Sequence, residues 1–287
     1  MTGAQLYPGA STAHWYQSAY PGDSMTVNAI VWHSTEGASL STYSGGAVAP
    51  TLTAVPNWTT EKLVWSQHFD FDTSARALVN APGGVQTNTL NVAQVEVVGT
   101  CDPATHASWT KSGGQHLYMP ELPDWAIRDL AAFARWAHTE HGVPLTSGLR
   151  WASYPGSYGT TNGVRMSGAA WTAFRGHAGH QHVPENDHGD PGSLPMAAIL
   201  AAATNPLEDT DMTPEQARQL ADLHTNLMSI NRTNVPVPET HAAGYYLAVA
   251  EGHAHSADTK VDGLVEQVGQ LTAAVAAIAE HVGIAAT

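Results

Sequence analysis

Cysteine is nearly absent from the 287 residues: Cys101 stands alone. One thiol cannot close an intramolecular disulfide, so nothing in the chain calls for an oxidising compartment, and its ordinary reading is a small buried or loop thiol. Basic residues are scarce too. Eleven Lys and Arg face 25 Asp and Glu, a formal charge of −14, which opposes a sequence-independent grip on a phosphate backbone or an anionic membrane. No nucleic-acid partner is expected. Long apolar runs are missing: no stretch approaches the ~18 apolar residues of a membrane span, so membrane insertion is not expected either. The first residues, MTGAQLYPGAS, have neither the basic start nor the apolar run of a secretory signal. Synthesis in a cytoplasm without a signal peptide is therefore expected, and any action outside depends on a separate route of release. The His-Glu-x-x-His helix of common zinc peptidases is also lacking.

What is present is length for one substantial core and a smaller second domain. Residues 1–26 show no sustained period and read as an irregular segment packed against a domain. The apolar run 27–32 reads as a buried strand that ends in His33-Ser34-Thr35-Glu36-Gly37. Further strands are expected at 63–71, at 75–79, and at 90–98, where Val92, Val95, Val97 and Val98 supply β-branched residues before Gly99. Pro123-Asp124 opens a helix in which Trp125, Leu130, Phe133 and Trp136-Ala137 recur at helical spacing until His141-Gly142 stops it. Strands in adjacent runs with a covering helix predict an α/β fold, a mixed central sheet flanked by helices. Residues 146–192 are dense in Gly, Pro, His and Trp, and so long an irregular stretch is usually functional.

An alanine-rich helix at 195–203 ends the first domain, 1–203, and a short acidic linker occupies 204–212. A helical C-terminal module is expected over 213–287. Thr213 and Gln216 form a capping-box pattern with Pro214 in the first turn, and Leu220, Leu223, Leu227 and Ile230 follow at helical spacing. Val261, Leu264, Val268, Leu271, Val275, Ile278 and Val282 fall on alternating three- and four-residue steps, the seam of a short coiled coil. That seam predicts either a homo-oligomer, leaning toward a parallel dimer, or a helix packed within its own chain.

Sixteen histidines outnumber all Lys and Arg together, and abundance alone identifies no ligand. Arrangement does more. The segment Gly179-His180-Gln181-His182-Val183-Pro184-Glu185-Asn186-Asp187-His188-Gly189-Asp190-Pro191-Gly192 holds three histidines and several carboxylates, punctuated by Pro and Gly so that distant members can converge on one ion. Zinc (Zn2+) suits imidazole and carboxylate donors, and a catalytic site leaves its fourth position to water. The segment can supply two ligands. His33, at the end of an apolar strand and before a loop, is the best source of the third. Trp151, Tyr154, Tyr158 and Trp171 read as packing residues, as do His14, His106, His116, His138 and His177 as structural ones; His68 lies on a strand that can face the cleft.

These residues resemble the type 2 zinc amidases, which share their fold with the peptidoglycan recognition proteins and include many phage endolysins. The resemblance covers about residues 25–200. It rests on Trp32-His33-Ser34-Thr35, on Ala93-Gln94-Val95-Glu96-Val97-Val98-Gly99, and on Gly179-His180 through Val183 to Asp190-Pro191-Gly192. It implies His33, His180 and Asp190 as zinc ligands, with His182 the alternative to His180, otherwise orienting a ligand. It implies Glu96 as the catalytic acid/base. Where the family has a Lys two residues before the metal-binding Asp, this chain has His188, which can also donate to an oxyanion although an imidazole is fully charged only below about pH 6.5. Some phage members use the Tyr of a Tyr-His-Phe run; the matching run here is Gln67-His68-Phe69, which leaves Glu96 as the base.

The activity implied is zinc-assisted hydrolysis of the amide between N-acetylmuramic acid and L-alanine in bacterial peptidoglycan, with Glu96 moving the proton and His188 stabilising the oxyanion. The missing signal peptide and the two-part chain resemble a phage endolysin released to the wall through a holin. Low Lys with many Ala and Gly suggests a GC-rich, actinobacterial setting. Two other classes stand beside this reading: a non-catalytic peptidoglycan-binding protein of the same fold, and another zinc hydrolase on an unrelated fold.

Overall fold

Five strands form one mixed sheet in the order β3-β2-β4-β1-β5. The structure is a computed structural model that describes residues 3–205 apart from residue 79, all within the first of two units of the chain, Met1–Asp209. The linker expected over 204–212 begins one residue late, because residue 204 still belongs to a helix; its remainder past residue 205, the capped helix and the coiled-coil seam lie outside the described residues.

β1 (Ala29–Ser34) is buried along its whole length, as a central strand covered on both faces must be. It pairs in parallel with β4 (Val92–Val97) on one side and with β5 (Gly176–Gly179) on the other. β2 (Leu52–Asn57) runs parallel to β4 and antiparallel to β3 (Lys62–Gln67). Alternation sorts the side chains of β1. Ile30 and Trp32 join the larger core under the helices, whereas Ala29 and Val31 join a smaller cluster with Leu78, Trp171, Ala178 and Val183 on the other face.

The larger core is covered by α2 (Asp124–His141), which buries Trp125, Leu130, Phe133 and Ala137. Phe133 stacks on Trp65 with ring centroids 4.7 Å apart and meets Trp32 edge-on at 5.8 Å. The helix ends where expected because Gly142 adopts φ 72° and its N–H turns back to Ala137 and His138 carbonyls, a left-handed cap that favours glycine. α4 (Met196–Thr204) packs beside α2 and buries Met196, Ile199 and Leu200.

Several expectations are corrected. Residues 75–78 form no strand, because their backbone groups find no continuous ladder: Ala75 O accepts from Asn88 Nδ2, Arg76 N donates to Ala49 O, outside any strand, and Leu78 N donates to Gln94 Oε1. The strand expected over 63–71 stops at Gln67, where its partner β2 begins at Leu52. β2 itself was not legible, since Pro56 argues against an interior strand; beyond Ala54 the strand pairs only with β3, so Pro56 faces no β4 acceptor. The stretch 146–192 is not wholly irregular, for it contains β5 and a short helix, α3 (Gly168–Ala173), which N-cap Ser167 opens. α1 (Pro103–Lys111) also escaped notice: it buries no residue and so carries no amphipathic pattern, and Asp102 starts it by accepting from Ala104 N and Thr105 N.

Candidate metal centre

The parallel strands β4, β1 and β5 present their carboxyl ends together, where open α/β sheets place their ligand sites. His33 is the fifth residue of β1 and stands opposite Glu96 of β4 in the ladder. Paired residues point to the same face, and alternation puts both on the face away from α2. The chain leaves β5 at Gly179 and turns at once through a 3-10 turn, His180–His182. His180 is thereby delivered beside His33.

Three donor groups converge there. His33 Nδ1 and His180 Nδ1 are 3.0 Å apart, His33 Nδ1 lies 3.3 Å from Asp190 Oδ2, and His180 Nδ1 lies 3.1 Å from Asp190 Oδ1. All three residues are buried, and they are the one His/Cys/Asp/Glu group of this kind among the described residues. Two ligands about 2.0–2.1 Å from a tetrahedral zinc lie about 3.3 Å apart, close to these separations. Two neutral imidazoles and one carboxylate are also the donor chemistry that such a dication takes. The Nε2 atoms of both rings are buried without a hydrogen-bond partner, so each ring's only polar engagement is on its Nδ1 side. His33, His180 and Asp190 could thus hold a metal ion.

Asp190 is fixed further by Ser34 N, which donates to its Oδ2 at 3.2 Å. Burial alone raises its carboxyl, but charge and hydrogen bonds from His180 and His33 outweigh that and hold it below the usual carboxylate range. Glu96 behaves in the opposite way. Its Oε2 is buried and unpartnered, and burial, opposed by His33 and reinforced by the negative Asp190 and Glu36, pushes its carboxyl up to about 7. The two carboxyl groups are thus driven in opposite directions by their surroundings.

His182 is turned elsewhere. Its Nδ1 accepts from Gly179 N at 2.8 Å and its Nε2 donates to Arg150 O at 3.1 Å; burial lowers its pKa to about 4. Both nitrogens are used in holding the turn, and the converging group contains His180. His188 is exposed at the rim, its ring stacked on His180 with centroids 4.9 Å apart and its Nδ1 3.9 Å from Asp190 Oδ1. His68 does lie on the Glu96 side of the sheet. Its Nδ1 donates to His14 O, so its Nε2 accepts from Thr53 Oγ1, which in turn accepts from Tyr43 Oη, and Thr53 sits opposite Glu96 in the ladder.

Sequence reasoning missed the polar frame around the centre. Glu36 adopts φ 48° and accepts from Ser34 Oγ at 2.6 Å, Thr100 Oγ1 at 2.5 Å and Cys101 N at 2.9 Å, tying the end of β1 to the chain leaving β4. Cys101 is buried among these groups, and burial beside Glu36 raises its thiol pKa, which suits an inert packing role. Gly189 is needed between His188 and Asp190 because a Cβ there would come within 2.4 Å of the Tyr158 ring and the Ser157 carbonyl carbon. The one available signal was Glu36 itself, in the run after His33.

No family model matches the chain, and no curated protein matches it. Among solved structures it is similar to a mutant of PlyL, at 15% identity and a TM-score of 0.29 over 46% of this chain and 74% of that one. It is also similar to a mutant endolysin from Bacillus subtilis, at 14% identity and a TM-score of 0.28 over 49% of this chain and 75% of that one.

Proposed function

We propose that the chain is a zinc-dependent N-acetylmuramoyl-L-alanine amidase that cuts bacterial peptidoglycan, in the setting of a phage endolysin released to the wall through a holin. The observation that carries this reading is the convergence of His33 Nδ1, His180 Nδ1 and the Asp190 carboxylate, with the unpartnered Glu96 Oε2 on the neighbouring strand. The residues quoted for the amidase resemblance supply the substrate.

His33, His180 and Asp190 hold the ion. Bound there, zinc supplies a Lewis acid that polarises the scissile carbonyl and makes water a better nucleophile at neutral pH. Glu96 takes the proton of the attacking water on its carboxylate and returns it to the departing amine of L-alanine. Its Oε2, buried and without a hydrogen-bond partner, is free to take that proton. His188, stacked on His180 at the open side, donates to the oxyanion as charge develops there. No described helix is long and apolar enough to cross a membrane.

Product analysis on purified cell walls tests the activity. The reading expects new free amino groups on L-alanine with neither new reducing sugar ends nor cuts within the peptide stem. Reducing ends would make the chain a glycosidase, internal peptide cuts a peptidase, and no product at all a binding protein.

A further inference from the structure

Two of the three proposed ligands, His180 and Asp190, lie on a loop that no strand pairing supports beyond Gly179. Beside a few main-chain bonds such as Gln181 N to Asp190 O at 3.2 Å, one side chain takes a large part of that task. Arg165 donates from Nε to Gly159 O at 2.9 Å, from Nη1 to both His180 O at 3.2 Å and Val183 O at 2.8 Å, and from Nη2 to His188 O at 2.6 Å. A guanidinium has five N–H groups in a rigid fork, and four of them are spent here on main-chain carbonyls. Three of those carbonyls belong to the loop from His180 to His188. Asn162 prepares the fork: its Oδ1 accepts from Val164 N and Arg165 N, while its Nδ2 donates to Gln181 O at 2.9 Å and to Ser157 O at 2.5 Å.

We propose that Arg165 is a positioning residue of the metal centre, holding the ligand loop in its binding shape before the cation arrives. The inference rests on the zinc reading above. By joining the carbonyl of His180 to that of His188, Arg165 fixes the chord of the loop whose two ends carry His180 and Asp190, and it keeps His188 stacked against His180. Without the fork these carbonyls turn to water and the loop must be ordered at the moment of binding, a cost taken from zinc affinity. A lysine cannot replace it, since a single ammonium cannot span carbonyls presented in several directions.

The test is zinc affinity of the full chain, by competition with a chromophoric chelator, for wild type, Arg165→Met and Arg165→Lys, alongside unfolding of the metal-free proteins. Arg165→Met is expected to bind zinc on the order of 10–100-fold more weakly, the usual cost of losing a partner that orients ligands. Millimolar methylguanidinium is expected to recover part of that loss and methylammonium none. Arg165→Lys, which carries the test if the Met variant does not fold, is expected to remain weakened. Wild-type affinity in a folded variant, or a loss that methylguanidinium and methylammonium restore equally or not at all, overturns the positioning role. A wild-type chain that takes up no zinc overturns the metal-centre reading itself, and this inference with it.

Discussion

The two halves of the site are held in different ways. His33 and Glu96 stand opposite each other on adjacent parallel strands, fixed by a backbone ladder in a core that is buried on both faces. His180 and Asp190 are carried by a loop whose scattered main-chain bonds, such as Gln181 N to Asp190 O and Met166 N to His182 O, are supplemented by side chains: Arg165, Asn162, Gln181 through Gly192 O, and His182 through Gly179 N. A ladder tolerates the loss of one side chain because the backbone still pairs. A loop supported by side chains does not, since removing one frees several carbonyls or N–H groups together. Apart from the ligand His33 itself, substitutions on the strands should therefore change chemistry and leave metal binding intact, whereas substitutions behind the loop should change metal binding first.

The largest effect expected is at Glu96. Glu96→Gln keeps the shape and the strand but removes the proton acceptor, so hydrolysis should fall by roughly 10²–10⁴-fold while bound zinc stays at the wild-type level. Loss of zinc along with activity would break the contrast, because it would make the strand half part of the metal's support. A smaller effect should appear in the stability of the metal-free chain. Glu96 titrates near 7 in the fold instead of its ordinary 4.5. A raised carboxyl favours the fold while protonated, and that contribution is complete below the unfolded value and lost as pH rises through about 7. Between pH 4.5 and pH 8 wild type should lose stability relative to Glu96→Gln by roughly 3 kcal/mol. Denaturant unfolding of both proteins at several pH values measures this, and parallel curves would mean that the carboxyl is not desolvated.

The strand half was legible in the sequence because its signals are local. An apolar run ending in His33, and β-branched residues flanking Glu96, announce buried strands and the residues at their ends. α2 was legible for the same reason, through the spacing of Leu130, Phe133 and Ala137 and the stop at Gly142. The loop half was legible only in composition. The density of His, Asp and Gly between 179 and 192 marks a site, but nothing in that spacing says that His182 would spend both nitrogens on Gly179 and Arg150. β5 was hidden because Gly-His-Ala-Gly has almost no strand propensity; it is a strand because β1 lies beside it. Arg165 was invisible for a related reason: a side chain that bonds to scattered main-chain carbonyls leaves no periodicity and no motif.

The central claim is that His180, and not its neighbour His182, holds the ion together with His33 and Asp190. The most direct measurement is zinc content after exhaustive dialysis of wild type, His180→Ala and His182→Asn, the Asn chosen because its Oδ1 can still accept from Gly179 N. The account predicts a single zinc ion per chain in wild type and in His182→Asn, and almost none in His180→Ala. Zinc retained by folded His180→Ala, or lost from folded His182→Asn alone, would contradict it.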